Sequence, residues 1–252
     1  MVKPKKSLGQ HFLIDKNITE KIATSLIKKD RLIEVGPGEG ALTDFYIKDK
    51  NIEFFAIETD REAFEFLQGK YPFQEDKLIL ADFLKLDLTT LFDKEFSIIG
   101  NFPYNISSQI FFKVIDNKEL VSEVVCMIQK EVAERIASKE GNKSYGILSV
   151  LLQAYYDIEY LFTVNENVFN PPPRVKSGVI RVTRNATKKL NCDEKLFKQV
   201  VKTSFNQRRK MLRVSLKSML QDIDVSKYDI FTKRPEQLTV AEFVNLTNII
   251  AG

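Results

Sequence analysis

From Arg31 onward, short apolar runs alternate with amphipathic segments: Leu32 to Val35, Ala41 to Ile47, Phe54 to Ile57, Arg61 to Leu67, and Lys77 to Leu80. This alternation predicts successive β-α units and hence a largely parallel sheet, since a strand and its crossover bring the chain back in the same direction. Further strands are expected at Phe96 to Ile99, Val124 to Ile128, Ile158 to Thr163 and Gly178 to Thr183, with helices at Ser107 to Val114, Lys130 to Ala137 and Leu148 to Tyr155. The count comes to about seven strands. Beyond Arg184 the β-branched pattern stops. Leu196, Val200, Val201, Met211, Leu212, Leu216, Leu220, Phe243, Val244 and Leu246 then recur at helical spacing, which predicts a small helical domain over 186–252 after an α/β domain over 1–185.

The 252-residue chain and its 44% hydrophobic content allow one sizeable core and a small appendage. It has no apolar stretch long enough to span a bilayer, and its start, Met-Val-Lys-Pro-Lys-Lys, has no apolar h-region. A soluble cytoplasmic protein, not associated with a membrane, is expected. Cys126 and Cys192 lack metal-ligand spacing, and His11 is the sole histidine, which excludes a multi-histidine metal site and disfavours a Ser-His triad. No metal is expected. The net charge of +4 is mild, but its distribution is not. Lys3, Lys5 and Lys6 crowd the N-terminus, and Lys188, Lys189, Lys195, Lys198, Lys202, Arg208, Arg209, Lys210, Arg213 and Lys217 meet only Asp193 and Glu194 of opposite sign. Solvated helix faces usually mix signs, so this run points to a polyanionic partner.

Glu34-Val-Gly36-Pro-Gly38-Glu-Gly40 follows the first strand of the alternation and is expected to lead into a helix, with glycines allowing close backbone approach to a ligand. Its spacing is Gly-x-Gly-x-Gly, unlike the dinucleotide Gly-x-Gly-x-x-Gly. Glu58 ends the next strand about twenty residues on, where a ribose hydroxyl acceptor belongs, and Asp82 ends the third, where it can accept from an adenine amino group. Any one of these acids reads most simply as a solvated strand-end charge, but together they mark the ligand-binding edge of an open α/β sheet. With no pyrophosphate cradle, the set matches S-adenosylmethionine better than NAD. Asp44 and Asp60 are read as surface charges.

Gly100-Asn101-Phe102-Pro103-Tyr104-Asn105-Ile106-Ser107 closes the fourth strand. Read alone, it is either a proline turn leaving a buried strand or an active-site loop for methylating an exocyclic amino group. The nitrogen of such a group is a weak nucleophile because its lone pair is delocalised into the ring. The Asn101 carboxamide and the carbonyl before Pro103 could draw that density back by accepting hydrogen bonds, Pro103 would rigidify the loop, and Tyr104 offers a stacking face.

Several further segments bear on the choice: Lys6-Ser-Leu-Gly-Gln-His-Phe-Leu13, Gln129-Lys-Glu-Val132, Tyr145-Gly-Ile-Leu-Ser149, Phe169-Asn-Pro-Pro-Pro-Arg-Val175 and Phe205-Asn-Gln-Arg-Arg-Lys210. With Glu34 to Gly38 and Gly100 to Ser107, they make the chain resemble, nearly end to end, the ribosomal RNA adenine N6-dimethyltransferases, most closely their small-subunit branch. The resemblance implies a Rossmann-like, seven-strand class I S-adenosylmethionine-dependent methyltransferase domain followed by a small all-helical RNA-binding domain. It implies that Gln10, His11 and Leu13 cover the cofactor, Gly36 and Gly38 form its glycine turn, Glu58 holds the ribose and Asp82 the adenine. Asn101 and Tyr104 would engage the target base and Phe169 would stack on its other face. Two positions depart from the pattern: Phe102 replaces the commoner Leu, and Lys176 stands where Asp is frequent.

The activity so implied is dimethylation of N6 on two adjacent adenosines near the 3′ end of 16S rRNA, by a monomer acting on the small ribosomal subunit. A large-subunit rRNA dimethyltransferase of the macrolide-resistance kind shares the catalytic motif, although Pro171-Pro172-Pro173 and Phe205 to Lys210 favour the small-subunit branch. A non-catalytic assembly factor would not require intact Asn101, Tyr104, Glu58 and Asp82. A DNA amino-methyltransferase would want a base-reading element that the charged tail lacks.

Overall fold

The computed structural model describes residues 2–72, 74–220 and 223–252. Its main sheet has seven strands, ordered β4 (Leu78–Leu80), β3 (Glu53–Glu58), β2 (Arg31–Val35), β5 (Phe96–Asn101), β6 (Val121–Gln129), β9 (Ser177–Arg184) and β7 (Tyr156–Val164). The β4, β3, β2, β5 and β6 strands run parallel, and β9 pairs antiparallel with β6. Central strands such as β5 and β6 are buried along almost their whole length, as expected of strands covered on both faces. A separate ribbon pairs β1 (Phe12–Leu13) with β8 (Phe169–Asn170).

The crossovers include α2 (Arg61–Lys70), between β3 and β4, and α3 (Ser107–Asp116), between β5 and β6, while α1 (Lys16–Ser25) precedes β2. The helix expected from Ala41 to Ile47 is replaced by turns and a single 3-10 turn, Thr43–Phe45. Gly40 is left-handed, with φ of 79°, and its carbonyl accepts from Asp44 N at 3.2 Å as well as from the Tyr71 hydroxyl and Lys70 ammonium at 3.1 and 3.3 Å, while Phe45 and Tyr46 N donate three residues back, to Leu42 and Thr43, as in a 3-10 turn.

The chain divides into two compact units. The first, through Ala133 and again over Ile158–Arg184, contains the sheet. The second, Glu134–Asp157 with Asn185–Gly252, is built around α5 (Ile147–Gln153), α6 (Glu194–Asn206), α7 (Leu212–Ser215) and α8 (Val240–Ala251), while α4 (Lys130–Ala137) begins at the end of β6. One cut in sequence near 185 therefore misses the segment Glu134–Asp157. Its helix α5 buries Leu148, Val150, Leu151 and Leu152 and packs on α6 and α8, so packing assigns it to the helical unit. Within that unit Tyr145, Phe205 and Phe243 form a ring ladder with centroid spacings of 6.3 and 6.0 Å. Thr239 and Glu242 close a reciprocal capping box at the start of α8.

Candidate active site

The strand order reverses direction at β2, which lies between β3 and β5. Chains of this topology bind ligands where the carboxyl ends of strands diverge at such a switch point. A cavity of about 240 Å³ lies there, lined by the ends of β2 and β3, the turn after β4, the loop after β5, and the segment from Leu8 to Leu13. Gln10, His11, Leu13, Gly36, Gly38, Glu58, Asp82, Asn101, Pro103 and Tyr104 all line it. Phe169 does not. Its ring is 3% exposed and belongs to the hydrophobic core, because pairing of β8 with β1 sets it opposite Leu13. In this structure Phe169 supports the ribbon and presents no free face for stacking.

The glycine turn has a backbone that side chains would strain. Gly36 and Gly38 have φ of 68° and 58°, a left-handed region that side chains disfavour. A Cβ at Gly36 would reach within 3.8 Å of Pro103, and one at Gly38 would lie 2.9 Å from the Phe12 ring. At the end of β5, a Cβ on Gly100 would sit 2.5 Å from the Val35 carbonyl, so glycine there lets β2 and β5 approach closely ahead of Asn101. Phe102 at the departure from the motif is 1% exposed, packs edge-on against Phe111 at 6.1 Å, and donates its N-H to Met127 at 3.0 Å. The larger ring is thus absorbed in the core.

Glu58 accepts from the backbone N-H of Gly38, Thr59 and Asp60 at 3.1, 2.8 and 2.9 Å. Burial pushes its carboxyl above the usual range, and these three donors partly offset the effect. Asp82 accepts from Leu84 N at 3.0 Å, and Lys113 donates to the carbonyls of Leu84 and Leu86, which pins the loop that carries Asp82. The Asn101 Nδ2 donates to the His11 carbonyl at 2.8 Å. That bond fixes the amide's orientation and leaves Oδ1 as its acceptor. Tyr104 shares a 2.6 Å hydrogen bond with the wholly buried Ser177 and lies 5.5 Å from the His11 ring, which itself reaches the Pro171 carbonyl through Nδ1 at 2.8 Å.

Glu34 also lines the cavity and is 1% exposed. Burial pushes its carboxyl up to about 8; a hydrogen bond from Thr43 at 2.7 Å opposes the rise and nearby Glu58 adds to it. A carboxyl raised in the folded state contributes stability that is complete below its ordinary value of 4.5 and is lost as pH climbs toward about 8. Wild type should lose up to roughly 1 kcal/mol per pH unit through this group across that window. Glu34→Gln keeps an acceptor for Thr43 and removes the titration. Its melting temperature relative to wild type should therefore climb with pH and level off above about pH 8. Parallel melting curves for the two proteins would refute this account of Glu34.

Asp60 corrects an expectation. Read as a surface charge, it is 3% exposed, caps α2 by accepting from Glu62 N at 3.1 Å, and accepts from Gln10 Nε2 at 3.0 Å and from the Lys5 ammonium. Burial works against its charge, but the hydrogen bonds from Lys5, Gln10 and Glu62 outweigh it and hold the carboxyl below its usual value. Its place before the helix was legible as a cap; its burial was not. Asp44 is half-exposed and accepts from Tyr71 and Lys70. Ser177 carried no signal beyond opening an apolar strand.

Among the described residues, no Lys or Arg lines the cavity, whereas Glu34, Glu39, Glu58 and Asp82 do. A pyrophosphate would find no counter-charge there, and a cationic sulfonium with a ribose and an adenine finds acceptors at consecutive strand ends. Among the described residues, no group of three or more His, Cys, Asp or Glu could hold a metal ion. No described helix is long and apolar enough to cross a membrane. The sheet order and this donor set define a class I S-adenosylmethionine-dependent methyltransferase.

Comparison with known proteins narrows the class. The family model for ribosomal RNA adenine dimethylase matches residues 1–251. A ribosomal RNA small subunit methyltransferase A from Bacteroides thetaiotaomicron is 57% identical over 98% of this chain and 94% of its own length, and one from Cytophaga hutchinsonii is 53% identical over 100% and 98%. Among solved structures, a dimethyladenosine transferase from Plasmodium falciparum shares the fold with a TM-score of 0.76 at 22% identity, covering 94% of this chain and 96% of that one. The 23S rRNA methyltransferase ErmE gives 0.67 at 21% identity, over 96% and 100%. The chain belongs to the ribosomal RNA adenine dimethylase family.

Proposed function

We infer that the protein transfers methyl groups from S-adenosylmethionine to N6 of adenosine in small-subunit ribosomal RNA, twice on each of two adjacent adenosines near the 3′ end of 16S rRNA. The observation that carries this reading is the Asn101 amide, locked by the His11 carbonyl so that Oδ1 serves as acceptor in a cavity lined by no Lys or Arg among the described residues. The names of the relatives at 53–57% identity support the small subunit as target.

S-adenosylmethionine, when bound, supplies an electrophilic methyl group on its sulfonium. Glu58 and Asp82 would hold its ribose and adenine, with Gly36 and Gly38 admitting it close to the backbone. Asn101 Oδ1 and the Phe102 carbonyl would accept hydrogen bonds from the adenine amino group, returning lone-pair density to the nitrogen and aiming it at the methyl. The amino proton becomes acidic once the nitrogen is alkylated and leaves to water, so no strong base is needed. The target base must be unstacked to enter. Tyr104, held by Ser177, supplies a stacking face worth on the order of 1–3 kcal/mol. Burial raises the Tyr104 phenol above its ordinary value, so it stays neutral there.

In the helical unit, Lys195, Lys202, Arg209, Lys210, Arg213 and Lys217 are exposed, and they would grip RNA phosphates in a salt-sensitive manner. A cytoplasmic monomer is the form that this reading entails. Labelled methyl transfer onto undermethylated small subunits, large subunits and duplex DNA in parallel tests it. Dimethyladenosine should form in small subunits alone; label on large subunits or DNA would overturn the assignment of substrate.

A further inference from the structure

The segment Val2–Leu13 is tied down at both ends of the cavity it crosses. At the turn after β2, Val2 N donates to Glu39 at 2.8 Å; after β3, Lys3 N donates to Glu62 at 3.0 Å, and Lys5 and Gln10 converge on the carboxylate of Asp60. Gln10 Oε1 turns back to accept from the backbone N-H of Lys5 at 2.9 Å, so the Gln10 side chain ties the Lys5 backbone to Asp60. On the β5 side, the His11 carbonyl accepts from Asn101, and Gly9, with φ of 63°, turns where a Cβ would lie 2.9 Å from Asn105 Oδ1. Between these anchors, Leu8 to Leu13 form one wall of the cavity.

The anchors differ in strength. The Asp60 carboxylate has a 2% exposed side chain, and both of its partners on the segment are drawn to a buried charge. Hydrogen bonds to charged groups are about twice as strong as neutral ones. The ties at Val2, Lys3 and His11 use backbone groups, and the first two end on half-exposed or exposed carboxylates.

We propose that Asp60 is a positioning residue for methyl transfer: through Lys5 and Gln10 it latches the Val2–Leu13 strap across the cofactor cavity, and opening of this latch sets how fast the demethylated cofactor leaves. The proposal rests on the reading of the cavity as the S-adenosylmethionine site. It assigns to Asp60 no contact with substrate. Its effect passes through Gln10 and His11, the second of which also orients Asn101.

Two substitutions separate the latch from the architecture. Asp60→Asn keeps an acceptor for Glu62 N, and Asn caps helices as well as Asp does, so α2 retains its start. Lys5→Met keeps the Asp60 carboxylate as cap of Glu62 N and gives up, besides the Asp60 contact, only the exposed 3.4 Å pairing of Lys5 with Glu62. Association and dissociation rates of S-adenosylhomocysteine should be measured by stopped flow on the full chain, alongside melting temperature. Each variant should release the ligand about tenfold faster, the loss expected for one charge-assisted hydrogen bond, with its association rate unchanged. Lys5→Met removes the Lys5 bond to Oδ1, whereas Asp60→Asn leaves that bond neutral and turns Oδ2, the acceptor of Gln10, into a donor; because both act through the charge of Asp60, the double variant should be slower to release than the product of the two single effects predicts. A general folding defect would instead lower the melting temperature and the competent fraction while leaving the dissociation rate of the competent fraction alone. Dissociation rates within twofold of wild type in both variants would overturn the latch while sparing the cofactor site; failure of wild type to bind S-adenosylhomocysteine would overturn the cofactor reading and the latch with it.

Discussion

Asn101→Ala should lower single-turnover methyl transfer to small-subunit RNA by about 100- to 1000-fold at saturating cofactor, the scale seen when one preorganised polar group is removed from a reacting centre. Asn101 ends β5 at the switch point, its Nδ2 is engaged by the His11 carbonyl at 2.8 Å, and its Oδ1 serves as the acceptor aimed by that bond. Alanine removes the acceptor and also frees the His11 carbonyl, so cofactor affinity should fall by no more than about tenfold, as for a single neutral hydrogen bond. Calorimetry and quenched-flow transfer on the same preparation separate the two effects. A transfer rate equal to wild type would remove Asn101 from the chemistry.

Glu58→Ala should weaken S-adenosylmethionine binding by about 10- to 100-fold, because hydrogen bonds between ribose hydroxyls and a buried carboxylate are charge-assisted. The same change strips the acceptor from the N-H groups of Gly38, Thr59 and Asp60, so the melting temperature should fall as well. Glu58→Gln separates these effects. It keeps one carbonyl acceptor for the turn and loses the charge, so it should recover part of the stability and little of the affinity. Calorimetry well below both melting temperatures reads affinity alone, and a dissociation constant matching wild type for Glu58→Ala would end the assignment.

Much of the site was readable in one dimension because strand ends in an open α/β sheet all deliver their next residues to the same edge. Glu34, Glu58, Asp82 and Asn101 each follow or end an apolar run, and all four line one cavity. Gly36 and Gly38 were readable for a related reason, since left-handed turns favour glycine. Phe169 misled because an aromatic residue before Pro171 looks the same whether its ring faces a ligand or a core; only the pairing of Leu13 with Phe169 turns it inward. Asp60 misled in the opposite sense. Its partners Lys5 and Gln10 lie some fifty residues away, 55 and 50 by count, and no local pattern records such a meeting.

The sequence by itself determined the parallel sheet, the glycine turn, the acidic strand ends and the proline-stiffened loop after β5, because period, turn chemistry and position after a strand are local properties of the chain. The tertiary structure alone decided which groups share a proton-poor or proton-rich surrounding, which ring is buried, where Glu134–Asp157 packs, and how Asp60 fastens the strap. Those outcomes depend on burial and on contacts between distant segments, and the strength of a charge or hydrogen bond is set by the dielectric and the partners that only folding brings together.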